Sequence, residues 1–592
     1  MPFISRTRPR FNISARTIEV VSYSDFSGGL CLGENLEQNE SPDLCNIELG
    51  RRGGFCSRRA VRNQIDGLPS PVCDMLCCQI KDEDGELGTP TLLMALDDGS
   101  LWQSNDLGPA FSPVGAPVRT DGCCLAMTQC GSYVYVSDGE TTYRWQCTPG
   151  GLFEPLTNFQ WNPEFEIFTD SVGNITSTTN GIPVGGNMPP AKGFDKCFGR
   201  VFAWGVPEPG LDANLACNRI RWSWGQIDNQ GAEDWDEDAA LDLPNDGDEI
   251  IGIKCCPEGL YVMRRNSTYL VTEAGTVQGV PLQFTYSEVG PTGSAGPKAI
   301  ECTPLGTAFW SATEGAVFYG QNENGVFQLV SIFEKLKPLL DDCEINGFSD
   351  QVAVAYCNGK LFYSVPSGDG DCPDITFVYD PVLQAWTKYD YGFRCAKEWS
   401  VPGQKRLCLV ADPKRGAVHA IEQEEDHDDF GDGDQSIYTR FVSPWIDFGV
   451  CETDKRFCKS EIVGLASAQC LTVSAYGNYD PTNYLGSSFV DMTGEINEPA
   501  FVVGPGDDCT VIPEVAMECL YPGAEPTAIE CKGDVGPRLG AKGDVQTVIR
   551  KTGKFAGDGR SLQLVIEGET CPSKRFCVTK IVTKAYQKSV RC

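Results

Sequence analysis

Apolar and polar residues alternate along most of this chain in short runs, each broken by Gly, Pro, Asn or Asp. The stretch CCPEGLYVMRRNSTYLVT (255–272) shows the rhythm: an apolar patch, a turn, LYVM, a polar turn, then TYLVT. A period of two places successive side chains on opposite faces of a strand, whereas a helix needs apolar residues three and four apart. Patterns of that second kind are nearly absent. The 64 Gly and 38 Pro supply turns in the number an all-β chain requires.

The rhythm recurs in DMLCCQI…TLLMALDDGSLWQ (74–103), DGCCLAMTQCGSYVYVSDGETTYRW (121–145) and DKCFGRVFAWG…NRIRWSWG (195–225, with an insertion). It returns in GIKCCPEGLYVMRRNSTYLVTE (252–273), AIECTPLGTAFWSATEGAVFYG (299–320), AVAYCNGKLFYSV…ITFVYDPVLQAWTKYD (353–390) and KRLCLVADPKRGAVHAIE (405–422). Each unit has a short apolar strand, a tight turn, a strand with alternating aromatics, a second turn and a third strand. The cysteines that align the units lie 46 residues apart from 78 to 124 and from 256 to 302, with other steps of 73, 59, 55 and 51. Three or four antiparallel strands at about this period are what a propeller blade needs. A single blade leaves its faces exposed, and a ring of blades buries them against one another. The seven candidate units predict a β-propeller of six or seven blades, the first and last being the least regular. An array of β-sandwiches would give short strands at similar spacing.

The ring is expected to end near residue 435. DQSIYTRFVSPWIDFG (434–449), KSEIVGLASAQCLTVSAYGNYD and RSLQLVIEGETCPSKRFCVTKIVTKAYQK then predict a separate antiparallel, sandwich-like C-terminal domain. Residues 495–543, rich in Gly, Pro and Asp, read as long loops. The expected organisation is an N-terminal arm and docking segment (1–62), a propeller (63–435) and a C-terminal β-sandwich-like domain (436–592). A length of 592 residues agrees with more than one core.

Charge narrows the partners. The net charge of −33 opposes wrapping of nucleic acid, which needs Lys and Arg facing phosphates, but suits a channel that repels passing DNA. Residues 231–250 hold nine acids and no Lys or Arg, whereas 541–592 carry eleven Lys and Arg against four acids. Arg6, Arg8, Arg10 and Arg16 make the first sixteen residues basic as well. Ends of opposite sign can dock neighbouring subunits, and solvated faces are the plainer explanation. The N-terminal stretch lacks the apolar core of a signal peptide, and no run of eighteen apolar residues occurs. Synthesis in a cytoplasm without stable membrane insertion is the expectation.

Candidate chemistry changes the picture little. The 29 cysteines contain no Cys-x-x-Cys, and His419 and His427 are the only histidines, so zinc is not expected. Cys77–Cys78, Cys123–Cys124 and Cys255–Cys256 are adjacent pairs whose members point opposite ways along a strand. Small buried hydrophobes in the reduced state are the expectation for the cysteines, with late disulfides as the alternative. Nucleophile elbows, His-Glu-x-x-His and Walker loops are absent, and His419 reads as a satisfied strand histidine. VSDGETTYRW (136–145) loosely follows the Ser-x-Asp-x-Gly-x-Thr-Trp turns of propeller glycosidases but does not repeat. Asp426, Asp428, Asp432 and Asp434 resemble an oxygen-rich calcium loop, but without Glu at the twelfth position they read as a solvated interdomain loop. No catalytic, cofactor-binding or metal residue is assigned, and no cofactor is expected.

Two stretches carry a resemblance. DFSGGLCLGENLEQNESPDLCNIELGRRGGFCSRRAVR (25–62) resembles the opening of a tailed-bacteriophage family of β-propeller tail structural proteins, through Phe26, Gly28, Gly29, Leu30, Pro42, Asn46, Gly53, Gly54 and Arg58. Residues 200–271 are similar to that family's blade motif, in which a WS strand leads to a Trp loop and then DGD-x-I-x-G. Trp222, Ser223, Trp235, Asp246, Gly247, Asp248, Ile250 and Gly252 match it. SEVGPTGSAGPKAI and RKTGKFAGDGRSLQLVIEG…KRFCVTKIVTKAY follow in the same order, so the resemblance touches the start, middle and end of the chain. The cysteine load departs from the family's pattern.

The resemblance implies a non-catalytic structural protein of the phage virion: a ring, nozzle or tail-tip component serving tail assembly and genome ejection. It further implies a symmetric homo-oligomer touching other tail proteins, such as tube, adaptor or fibre proteins, with DNA passing through without specific binding. A carbohydrate-binding or glycan-cleaving propeller that engages the host surface is the alternative.

Overall fold

The computed structural model describes residues 18–33, 36–51, 53–79, 88–108, 110–115, 125–146, 151–156, 167–169, 175–178, 188–208, 211–223, 233, 235, 239–277, 280–321, 327–402, 405–425, 427–431, 433–449, 453–465, 470–492, 501–502, 547–570, 575 and 577–587. The chain forms two compact units, one of Arg59–Glu424 with Asp428–Asp434 and one of Met1–Arg58, Glu425–His427 and Gln435–Cys592.

The first unit is a β-propeller. Blade 1 is Val72–Cys78, Thr91–Leu96, Leu101–Asn105 and Phe111–Pro113, and blade 2 is Ala126–Cys130, Tyr133–Ser137, Thr142–Gln146 and Phe153–Leu156. Blade 3 is Gly193–Cys197, Arg200–Trp204, Arg219–Trp222 and Ala240–Asp242; blade 4 is Ile250–Cys256, Gly259–Arg264, Thr268–Val277 and Val280–Gly290. Blade 5 is Ile300–Thr303, Gly306–Ser311, Gly315–Gln321 and Phe327–Ser331; blade 6 is Ala353–Cys357, Lys360–Val365, Ile375–Asp380 and Ala385–Tyr389. These six are each built from consecutive antiparallel strands. A seventh has three consecutive strands, Ala396–Trp399, Leu407–Ala411 and Val418–Gln423, and takes its fourth, Ala60–Ile65, from ahead of blade 1. The innermost strands touch in ring order, and blade 7 meets blade 1.

The second strand of a blade lies between its neighbours in the sheet and is packed on both faces, so it reads as a continuous apolar run. Thr91–Leu96, Gly259–Arg264 and Gly306–Ser311 are buried at every residue. Core clusters form at the seams: one joins Leu92, Met94 and Leu96 of blade 1 to Trp399, Leu409 and Val418 of blade 7. Arg394 and Asp97 form an ion pair across the same seam. The closing strand is held at its other edge by the acidic segment, where the Asp428 carboxylate accepts the Val61 N–H at 2.8 Å and Arg62 meets Asp434 at 3.2 Å.

In the second unit, one sheet runs Phe501–Val502, Thr547–Gly559, Lys455–Leu465, Cys577–Gln587, Phe55–Ser57 and Ile47–Leu49, with Ile18–Tyr23 also on Cys577–Gln587. Another runs Asp43–Cys45, Tyr438–Val442, Leu562–Glu569, Cys470–Gly477 and Asp480–Asp491. Phe55 of the first sheet stacks on Phe441 of the second at 4.9 Å, and Phe26 packs edge-on against both at 5.0 and 5.4 Å. This apolar layer between two antiparallel sheets is sandwich-like. Residues expected in an N-terminal arm thus supply strands to both sheets, and Ala60–Ile65 belongs to the propeller. Of the expected loop region 495–543, all but residues 501–502 lie outside the described residues.

Candidate functional site

The innermost strands carry most of the unusual chemistry, because each ends where two neighbouring blades approach. Side chains alternate along a strand, so its last two residues face different seams. In blade 1 the last residue, Cys78, packs into the core shared with blade 2, and Cys77 packs into the core shared with blade 7. In blade 4, Cys256 faces the blade 5 seam and Cys255 faces blade 3. The adjacent-cysteine motif therefore addresses two neighbours at once.

The same geometry brings cysteines of successive blades together. Cys197, last in blade 3, forms a disulfide with Cys255, with a Cα–Cα distance of 5.4 Å. One seam further on, Cys256 and Cys302 are hydrogen-bonded to each other, and Thr307 Oγ1 lies 3.1 Å from Cys256 Sγ. At the seam of blades 6 and 7, Cys357 and Cys408 are likewise hydrogen-bonded. In the second unit, Cys56 and Cys577 face each other directly across neighbouring antiparallel strands and are joined by a disulfide, with Cα atoms 4.1 Å apart. These four cysteines depart from the reduced, hydrophobic role expected for the set. For Cys197–Cys255 the overlooked signal was a strand-final cysteine in one blade followed by a penultimate one in the next.

Two residues before the end of the inner strands, charged groups bridge the seams. Asp195 accepts the Cys255 N–H at 2.6 Å, and Lys254 Nζ lies 3.2 Å from Glu301. Burial works against the charge of Lys254, but Glu301 and Asp195 outweigh it and hold its ammonium above the usual lysine range. Asp74 shifts upward: burial dominates, and Lys298, Lys397, the Met75 N–H and Lys254 offset it only in part. Positive and negative groups thus meet among the inner strands, and their contacts fasten neighbouring blades.

The residues singled out in the sequence divide as follows. His419 is buried, with Nε2 3.4 Å from Asp412 and its ring edge-on to Phe430 at 5.4 Å. Asp412 is raised by burial, but His419 and the backbone N–H groups of Lys414 and Arg415 outweigh that and bring it to about 2. Asp138, in the glycosidase-like turn, accepts the N–H groups of Glu140 and Thr141 at 2.8 and 2.6 Å within its own turn. Of the acidic loop, Asp428 and Asp434 bind the closing strand, while Asp426, Asp432 and the His427 side chain lie outside the described residues.

The family-like residues occupy points of close packing. Phe26 centres the aromatic layer, and its N–H donates to the Gly53 carbonyl at 2.9 Å. Gly53 has φ +88°, and a Cβ there would collide with the Ser24 carbonyl oxygen. Buried Arg58 donates to Asn46 Oδ1 at 2.8 Å, and Asn46 donates to the Tyr438 carbonyl at 2.7 Å. In blade 4, Asp246 and the Asp248 carbonyl bind the fully buried Arg264, while the Asp248 carboxylate takes Ser267 Oγ at 2.9 Å and the Asn266 N–H at 3.1 Å. Gly247, between them, has φ +87°. Ser223 is tied to Val201 by backbone and side chain at 2.8 and 3.0 Å, and Trp222 and Trp235 are buried.

No protein-family model matches the chain, and no curated protein matches it in sequence. Among solved structures, it is similar to the computationally designed Ika8 protein at 8% identity and a TM-score of 0.32, over 62% of this chain and 99% of that one. YCF48 bound to a peptide aligns at 9% identity and a TM-score of 0.37, over 62% of this chain and all of that one. BBS1N in complex with ARL6DN aligns at 13% identity and 0.34, over 62% and 97%.

Proposed function

We propose that this chain is a non-catalytic structural component of a bacteriophage tail, acting in a ring, nozzle or tip and contributing to tail assembly and the path of genome ejection. The observation that carries the reading is where the family-like residues sit. Phe26, Gly53, Asn46 and Arg58 fasten the N-terminal segment into the second unit, while Asp246 and Asp248 fix the blade 4 hairpin through Arg264. Each takes part in building the scaffold, as a resemblance to a structural family calls for. The net charge of −33 adds support, because an acidic surface lets DNA pass without retaining it. In this reading the chain works as a symmetric homo-oligomer in the virion, touching tube, adaptor or fibre proteins.

Immunogold electron microscopy of tailed particles from the source culture, with an antibody to this protein, tests the proposal. Gold confined to one level of the tail is the expected result. Unlabelled intact particles, with the protein found free in the culture, would overturn it and put host-glycan binding first.

A further inference from the structure

We propose that Cys256–Cys302 and Cys357–Cys408 are sites of disulfide formation with a low-molecular-weight disulfide, adding two staples between blades to the one at Cys197–Cys255. Three geometric observations carry this. In each pair the thiols come from neighbouring blades and are within hydrogen-bonding reach of each other. Each pair joins a buried cysteine, Cys256 or Cys408, to a partly exposed one, Cys302 or Cys357, which is the member of the pair nearer to an oxidant in solution. Finally, the Cys256–Cys302 arrangement repeats the strand-final and penultimate placement that already gives the Cys197–Cys255 disulfide one seam away.

The reaction is a pair of thiol–disulfide exchanges. The Cys302 thiolate attacks one sulfur of oxidised glutathione, forming a mixed disulfide and releasing one glutathione. Cys256 then gives up its proton to solvent and its sulfur attacks Cys302 Sγ, releasing the second glutathione. Two protein thiols are oxidised and one small disulfide is reduced to two thiols. The order follows from access and from the hydrogen bond itself: Cys256, as donor, lowers the thiol pKa of Cys302, whereas the same bond and burial raise that of Cys256. Cys357 and Cys408 follow the same sequence, with the partly exposed Cys357 attacking first.

The test is peptide mapping of the folded full-length protein, incubated with oxidised glutathione, blocked with N-ethylmaleimide and digested without reduction. Two new cross-linked peptides, Cys256–Cys302 and Cys357–Cys408, are expected, together with loss of maleimide labelling at all four positions. In Cys256→Ser the resolving thiol is missing, so Cys302 should retain one glutathione per chain; the C408S variant should trap glutathione on Cys357. Mapping of the unmodified protein needs neither variant to fold. Maleimide on all four cysteines after exhaustive oxidation would overturn the proposal, as would cross-links from them to other cysteines.

Discussion

Arg264→Ala isolates the contribution of the buried turn clamp in blade 4. The guanidinium is fully buried, binds Asp246 and the Asp248 carbonyl, and lies over the Tyr269 ring at 5.7 Å. Its removal leaves the mostly buried Asp248 carboxylate without the cation 3.7 Å away, and orphans the carbonyl that the guanidinium capped. Breaking a buried ion pair from one side costs about 3–5 kcal/mol. Asp246 is half exposed and contributes less, which places the expected loss at the lower end, about 3 kcal/mol. The propeller unit spans about 370 residues, so its unfolding entropy is on the order of 0.8 kcal/mol/K. A fall in Tm of about 4 °C follows, measurable by differential scanning calorimetry. Asp246→Asn should cost well under half as much, since its carboxamide oxygen still accepts from Arg264. If R264A melts within 1 °C of the parent, or D246N costs as much as R264A, the clamp argument fails.

Other substitutions test other links. Asp412 titrates at about 2, below its ordinary 3.8, so its stabilisation is fully present above pH ~4 and is lost as pH falls through about 2. The stability gap between the parent and Asp412→Asn, about 1–2 kcal/mol at pH 5 after discounting for solvent screening, should therefore shrink at pH 2.5 in urea titrations. Phe441→Ala opens the aromatic layer between the two sheets and should cost about 3–5 kcal/mol, with faster hydrogen exchange at Phe55 and in Tyr438–Val442. Cys577→Ser removes a crosslink between residues 521 apart and should lower stability by about 2–5 kcal/mol relative to the oxidised parent, a difference that a reductant abolishes.

The blades were legible because their middle strands are predominantly apolar, as in GLYVMR and GTAFWS, and tight Gly turns bound them. Blade 7 was the hardest to read. Its inner strand, AKEW, is short and half polar, and the strand that completes it lies more than 300 residues away in AVRNQI, on the far side of blade 1. Local alternation states that a segment is a strand but does not name its partner. The cysteine alignment slipped for a related reason. In blade 2 the strand-final position is occupied by Cys130, not Cys124, and in blade 7 Cys408 lies on the second strand, opposite Glu398. An apolar cysteine fits any inner position equally well. The roles of Asp428 and Asp434 were equally hidden, since an acidic loop reads as solvated until the N–H or guanidinium it meets is in place.

The closing strand Ala60–Ile65 also sets a timetable for synthesis. It leaves the ribosome ahead of blade 1, but its partner Val418–Gln423 follows some 350 positions later. At roughly 5–20 residues per second, that is an interval of about 20–70 s during which its edge has no partner. Ile18–Tyr23 and the outer edge of Phe55–Ser57 wait longer still, for Cys577–Gln587. A nascent chain can therefore stack blades 1 to 6 as they emerge, but the ring locks only once Val418–Gln423 has followed them. Products truncated before residue 418 keep an open ring, so synthesis of the Val418–Gln423 strand becomes the checkpoint for a closed propeller.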